Sequence, residues 1–584
     1  MKISIHQQDI TIGDLDTSKK RILECLGKES SNQKSIHLFP ELFLGGYPLQ
    51  DLILDKSFIE NYQRCLKEID EHFKSASVEN NNCVLFGGID YHLNNKYLPT
   101  KIFNVIFQAS PGSGVKSIYQ KKLLPNYDIF DEQKYFTGGK LSSVVNIFEK
   151  NFALLICEDM WSSQQHEQDP VNDILEEVEN KSLHLDGIIN LSASPFSIEK
   201  NNKRISRAKE ISQQLGAPFF YANSVGLHDE ILFDGRSFIL DNSNFLCSAL
   251  FEDDQISFDL KNIEKIDRKN TLTSKTNTWE DLFSPRIDTE KMTLNPLSSE
   301  AMEEIISGQM FAIYSYCKKT GIKNISVALS GGIDSALVLA LAWMTTKKYE
   351  LGELEAIFMP GHYSSTESYE LSKNMCNNLN IPFYNFPIKF LHQNLRMQFN
   401  ENLNHPLEGL ADENIQSRLR GAIIYGRSNQ KNSLVLNTSN KSELSVGYST
   451  LYGDSVGAIS ILGDLFKTEI FQLSKFINES FKTQIDEVVP HDIIVRPPTA
   501  ELRSDQKDED SLPPYDRLDF YLESLLSHQV TKEDLISLGF DREEVLQTVK
   551  LLRLSEFKRF QFCPIIKLKN KSFGFGRRMP ILKK

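Results

Sequence analysis

Apolar residues follow two rhythms along the chain. From Met1 to about Asn262, short apolar runs of strand length alternate with stretches of helical spacing. Met1–Ile5, Ile36–Phe39, Val84–Phe86, Asn104–Phe107, Phe152–Ile156, Gly187–Leu191 and Pro218–Tyr221 read as strands, and Arg64–Lys74 and Lys203–Leu215 as helices. This alternation predicts a layered α/β domain over residues 1–262. The rhythm then stops. Lys269–Thr278 is polar and aperiodic, and the surrounding residues 263–295 read as a linker. From Pro296 the helical spacing returns, with Met302, Ile305, Ile306, Phe311, Ile313 and Tyr314 in phase between Ser299 and Lys318. Ile325–Leu329, Leu354–Met359 and Leu434–Leu436 then alternate with helical stretches. That pattern predicts a parallel, doubly wound sheet in residues 296–584, whose loops after successive strands gather at one edge.

Composition narrows the classes. With 40% hydrophobic and 24% charged residues the chain is ordinary globular material. A net charge of −13 argues against a nucleic-acid or anionic-membrane partner. There is no apolar run of about 18 residues, and Met1–Gln7 turns polar too early for a secretion signal. The eight cysteines are scattered without a CxxC pair, which excludes a disulfide framework or zinc ribbon and fits a reducing cytoplasm.

Ser330-Gly331-Gly332-Ile333-Asp334-Ser335 lies between two apolar runs, as strand, glycine turn and helix. Paired glycines let backbone N–H groups point inward, and the following helix adds a positive dipole end. The result suits a phosphate or pyrophosphate. Asp334 would repel a bare phosphate, so its presence points to a divalent cation between carboxylate and phosphates. The loop lacks the lysine of a GxxxxGK[ST] motif.

Three polar residues in the first domain follow strand ends or flank them. Glu41 comes after Ile36–Pro40, Cys157 after Phe152–Ile156, and Lys121 lies in the run Tyr119–Tyr127. A thiol, a carboxylate and an ammonium in one pocket form a hydrolytic set. The ammonium would favour thiolate and later an oxyanion, and the carboxylate would take the thiol proton and then activate water. Spacing alone does not join them, and each has an ordinary reading as a buried thiol or a solvated charge.

Several stretches in order resemble the nitrilase superfamily: Glu41 with Gly45-Gly46-Tyr47-Pro48, Leu124–Glu132, Ile156–Trp161, Asn190–Phe196 and Asp229–Gly235. The resemblance implies an αββα sandwich with Glu41 as general base, Lys121 as stabiliser and Cys157 as nucleophile. The Leu-Pro-Asn-Tyr form is similar to the glutaminase branch attached to NAD synthetases, which implies that Tyr127, Ser194 and Lys200 hold glutamine. The second half agrees. Ala411–Gly421, Val446–Asp454, Asp464–Thr468, Arg496–Leu502, Glu556–Arg559 and Gly576–Ile581 resemble the glutamine-dependent NAD synthetase family.

This implies a Rossmann-like, adenine nucleotide alpha hydrolase-like second domain that adenylates deamido-NAD(+) with ATP. Ala328, Leu329, Ser330, Gly331, Gly332, Ile333, Asp334, Ser335, Thr438, Lys467 and Thr499 would bind ATP. Asn414, Glu443 and Lys558 would face deamido-NAD(+), and Asp334 and Glu443 would hold Mg2+. Ammonia from glutamine would reach the acyl adenylate through a protected passage. The resemblance further implies a cytoplasmic homo-oligomer acting on small molecules.

Departures stand at Gly361-His362, where the family pattern has Ser-Arg, and at Phe575-Gly576, where it has Arg-Asp. They bear on nucleotide contacts. The acidic stretch Ser504–Pro514 reads as a surface loop, and its place after Glu501-Leu502 suits a lid. Other readings are a glutamine-dependent ATP-pyrophosphatase with a different carboxylate acceptor, or a non-catalytic regulator. The second requires the charged set at 41, 121, 157, 334 and 443 to be incidental.

Overall fold

Residues 1–584 are described by a computed structural model, except 28–32, 95–97, 162–167, 263–265, 267–285, 289, 290, 482–484, 486, 500, 504–511, 528, 529, 583 and 584. The chain forms two compact units, Met1–Ser284 and Pro285–Lys584.

Period-two alternation in the first unit sorts side chains between two cores. Along the strand Lys150–Ile156, Phe152, Leu154 and Ile156 enter a core shared with Ile3, Ile5 and Phe220, while Ala153 and Leu155 turn to the opposite face. Two six-stranded sheets enclose the shared core. The first runs Asp254–Asp259, Lys2–Gln7, Ser35–Leu38, Asn82–Leu93, Pro99–Ser110, Gly114–Gln120. The second runs Phe245–Cys247, Phe238–Leu240, Phe219–Asn223, Gly187–Ser192, Lys150–Ile156, Val144–Ile147. Each has a parallel centre and antiparallel edges.

Helices cover the outer faces. Lys56–Ser75 is capped by Asp55, whose side chain accepts from the Phe58 N–H, and it buries Phe58, Ile59, Tyr62, Cys65, Ile69 and Phe73 at helical spacing. Truncating Phe73 to Ala there costs about 3–5 kcal/mol. Pro170–Asn180 and Lys200–Leu215 cover the second sheet through Ile174, Ala208 and Ile211. This is the αββα sandwich, and every strand expected between residues 1 and 262 lies inside it.

In the second unit five parallel strands take the order Phe383–Asn385, Leu354–Phe358, Asn324–Ala328, Ser433–Asn437, Ile459–Ser460. Asn324–Ala328 and Ser433–Asn437 are neighbours although more than a hundred residues apart, so the winding reverses between them. A crevice opens at such a reversal, beyond the strand ends. Helix Ile333–Tyr349 is buried on nearly every side from Ser335 to Thr345, which explains its unbroken apolar run.

The linker expectation needs one correction. Residues 263–265 and 267–285 lie outside the described residues. Beyond them, however, Ile287–Asp288 and Thr293–Leu294 form an antiparallel ribbon that packs on helix Tyr515–Ser527. The last part of the expected linker is therefore structure of the second unit. Residues 504–511 of the expected lid also lie outside the described residues. Among the described residues no helix is long and apolar enough to cross a membrane.

Candidate active sites

In the first unit, Glu41 and Lys121 are each 1% exposed and joined directly: Lys121 Nζ donates to Glu41 Oε1 at 2.7 Å. Glu41 Oε1 also accepts from Asn104 Nδ2 at 2.7 Å, and Oε2 accepts from the Ala193 N–H at 2.8 Å. Lys121 makes a second ion pair, to Glu132 Oε1 at 2.7 Å, and Tyr47 donates its hydroxyl to the same oxygen at 2.9 Å. Burial works against the Lys121 charge, but the Glu132 and Glu41 carboxylates outweigh it and hold the ammonium well above its ordinary range. Burial pushes the Glu132 carboxyl up to about 7 against the pull of Lys121.

Cys157 closes the group. It follows the strand Lys150–Ile156 with a positive φ of 43° and opens a one-turn helix, Cys157–Met160. Its N–H donates to Asn190 Oδ1 at 2.8 Å. Burial first, then the negative charge of Glu41, raises the thiol, and Lys121 pulls in the other direction. Lys121 thus acts toward thiolate, as expected, but burial and the Glu41 charge outweigh it.

Asp159 fastens the Cys157 turn to the segment around Lys121: its carboxylate accepts from the N–H groups of Ile156, Lys122 and Leu123 and from the Tyr119 hydroxyl. Tyr127 donates to Glu158 Oε2 at 2.9 Å, and burial lifts Glu158 to about 7 while Lys121, Tyr127 and Lys200 lower it. Lys200 heads the helix Lys200–Leu215. Ser194 is buried, its hydroxyl accepting from Arg204 Nε at 3.2 Å. The expected residues thus cluster, and Glu132, Glu158 and Asn190 join them. The signal for Glu132 was present in the run Leu124–Glu132.

In the second unit, all of the residues expected to bind ATP line one cavity of about 250 Å³, together with Glu443. Gly331 has a φ of 86°, and a side chain there would sit 2.7 Å from the Ser368 carbonyl oxygen, so glycine is required. Ser335 Oγ accepts from the Ser330 N–H at 3.1 Å, which closes the loop on itself. Gly332 caps helix Ile333–Tyr349 without a side-chain bond, leaving the first-turn N–H groups to an anion.

Asp334 receives Asn440 Nδ2 at 2.8 Å and Lys467 Nζ at 2.5 Å, and the same ammonium reaches Glu443 Oε1 at 3.4 Å. Asn440 and Glu443 form a reciprocal capping box on helix Lys441–Val446. Behind this cluster Asp519 accepts from Ser442 Oγ at 2.5 Å and from the Thr468 N–H at 3.0 Å, and burial raises its carboxyl to about 7. Arg496 also lines the cavity and pairs with Glu501 at 2.8 Å. Asn414 and Lys558 do not line it. Both instead grip the loop after Glu443: Asn414 accepts from Thr450 Oγ1 at 2.8 Å, and Lys558 donates to the Gly447 and Ser449 carbonyls.

Fold and sites together define a thiol amidase-like sandwich in one chain with a doubly wound nucleotide-type domain. The profile of the family described as NAD synthase matches residues 305–561. The glutamine-dependent NAD(+) synthetase of Thermotoga maritima is 32% identical, with the alignment covering 100% of this chain and 98% of the relative. That of Synechocystis sp. is 32% identical over 99% and 98%. The solved glutamine-dependent NAD+ synthetase of Acinetobacter baumannii, in complex with adenosine diphosphate, has a TM-score of 0.69 and 28% identity, covering 99% of this chain and 98% of that one. The Cytophaga hutchinsonii structure shares the fold with a TM-score of 0.76 at 19% identity, over 100% and 98%. The chain belongs to the glutamine-dependent NAD(+) synthetase family.

Proposed function

We propose that this chain amidates deamido-NAD(+) to NAD(+), using ATP and the amide nitrogen of L-glutamine. The observation that carries the reading is the pairing, in one chain of this family, of the buried Glu41–Lys121–Cys157 group with the Ser330–Ser335 loop beside Asp334, Glu443 and Lys467.

In the first unit Glu41 takes the Cys157 proton as the sulfur attacks the glutamine carboxamide. A raised thiol suits this order, since the proton leaves only during attack. Lys121 stabilises the oxyanion, and the proton returned by Glu41 lets ammonia leave. Glu41 then activates water to release glutamate from the thioester. Tyr127, Ser194 and Lys200 hold the substrate.

In the second unit the carboxylate of deamido-NAD(+) attacks the α-phosphorus of ATP and pyrophosphate leaves. The loop N–H groups, Lys467 and Thr499 receive that pyrophosphate. Ammonia attacks the acyl adenylate, giving the amide and AMP. Two hard carboxylates on one face, Asp334 and Glu443, fit Mg2+, which would neutralise the leaving phosphates. The relative solved with adenosine diphosphate supports nucleotide binding here. Asn414, Glu443 and Lys558 are assigned to the deamido-NAD(+) side.

The chain works on small molecules in the cytoplasm as a homo-oligomer. Its oligomer reading is supported by exposed Phe390, Leu391 and Met397 on helix Lys389–Leu403, an apolar face of the kind a second copy covers. The test of function is pyrophosphate release with deamido-NAD(+), ATP and glutamine. No release with deamido-NAD(+), but release with another carboxylate, would sink the assignment.

A further inference from the structure

Three cationic side chains line the nucleotide cavity: Arg420, Lys467 and Arg496. Two are already matched, Lys467 by Asp334 and Arg496 by Glu501. Arg420 is different. Its Nε donates to the Met359 carbonyl at 2.9 Å, which pins the guanidinium at the end of the strand Leu354–Phe358. Among the described residues no carboxylate comes within ion-pair distance of it; Asp454 and Glu501 act on it only at longer range. Burial lowers it to about 10. On the same helix, Gly409–Lys431, Arg427 is buried to a similar degree but forks onto Glu355 through Nε and Nη2. Arg420 is partly buried and faces the cavity without a counter-ion among the described residues, and a guanidinium so placed is a ready partner for an anion.

A second observation concerns the room around it. A Cβ at Gly361 would lie 2.9 Å from Gln416 Oε1 and 3.1 Å from Arg420 Nη2. A side chain at 361 would therefore displace the ends of both side chains from their present positions. The glycine therefore keeps open the space that the guanidinium occupies. This is also the place where the loop departs from the family pattern, with Gly361-His362 in place of Ser-Arg.

We infer that Arg420 is a nucleotide-binding residue, whose Nη groups take phosphate oxygens of bound ATP, and that Gly361 is the residue that admits it to the cavity. The inference rests on the assignment of this cavity to ATP. A charged hydrogen bond to phosphate supplies about 1.5–3 kcal/mol, or roughly a tenfold or larger change in affinity.

The experiment uses the full chain and measures binding of ATP and of adenosine by calorimetry to wild type, Arg420→Ala, Arg420→Lys and Gly361→Ser. Expected results are ATP binding weakened about tenfold or more in Arg420→Ala, less in Arg420→Lys, and weakened in Gly361→Ser, which keeps the charge but crowds it. Adenosine binding stays unchanged in all of them. Unchanged ATP affinity in Arg420→Ala overturns the inference, as does an equal loss for adenosine, which would make the contact one to the base. An unfolding midpoint matching wild type guards against misfolding, and Gly361→Ser provides an independent arm if Arg420→Ala fails that control. If wild type binds no ATP, the assignment of the cavity falls instead.

Discussion

Lys121 donates to Glu41 at 2.7 Å with both side chains 1% exposed, so the proposed general base and the proposed oxyanion stabiliser form one buried ion pair. Cys157 borders this pair electrostatically and carries a thiol raised by burial. On the proposed roles, nitrogen release is therefore confined to the first unit. Cys157→Ala is expected to lower glutamine-dependent NAD(+) synthesis by roughly a thousandfold or more while ammonia-dependent synthesis persists. Rates measured with each nitrogen source check this; loss of both would break the division of labour.

Glu132 shares Lys121 with Glu41 at the same 2.7 Å distance. Glu132→Gln keeps shape and the Tyr47 contact but removes one charge from the ammonium's surroundings. Glutaminase kcat/KM is expected to fall roughly a hundredfold, without a matching change in ammonia-dependent synthesis. Steady-state glutamate release decides it, and an unchanged value would leave Glu132 with a packing role only.

Lys467 stands between Asp334 and Glu443. Lys467→Met leaves two carboxylates facing the pyrophosphate with no ammonium to offset them. Pyrophosphate release is expected to drop by roughly a thousandfold, with glutamine hydrolysis retained. Near-normal pyrophosphate release would remove Lys467 from the reaction.

Asp519 predicts a pH dependence of stability. Its carboxyl is raised from 3.8 to about 7, chiefly by burial, so the folded protein favours the neutral form. The stabilisation from protonation is fully present below 3.8, falls as pH rises, and is gone above about 7. Asp519→Asn is neutral throughout, so it should flatten this part of the unfolding-midpoint profile and gain most on wild type above pH 7. Parallel wild-type and variant profiles would refute the reading.

Much of this was legible because strand ends announce themselves. Phe152–Ile156 is an unbroken apolar run and Ile36–Phe39 is broken only by His37, so Cys157 and Glu41, which follow them, stand out. Two residues lie inside runs that the resemblance marks, yet are given no role there, for a shared physical reason. Glu132 sits in a one-turn helix and Arg420 on a long helix rich in polar residues, where a charge is normally solvated. Only tertiary burial separates them from surface charges, and period and propensity carry no trace of it. The same holds for the ribbon at Ile287–Leu294, whose short pairing lacks any alternation long enough to see. Helix Lys56–Ser75 began eight residues before its expected start because Asp55 caps it, a contact its apolar phase does not encode.

Glu41 owes its position to Asn104, Lys121 and Ala193, the last of them 152 residues later in the chain. During synthesis on a ribosome the nucleophile emerges well before the N–H that orients its base. A nascent chain can therefore display the cysteine yet remain chemically silent toward glutamine until both sheets have closed. The onset of any glutamine hydrolysis is thus tied to completion of the first unit.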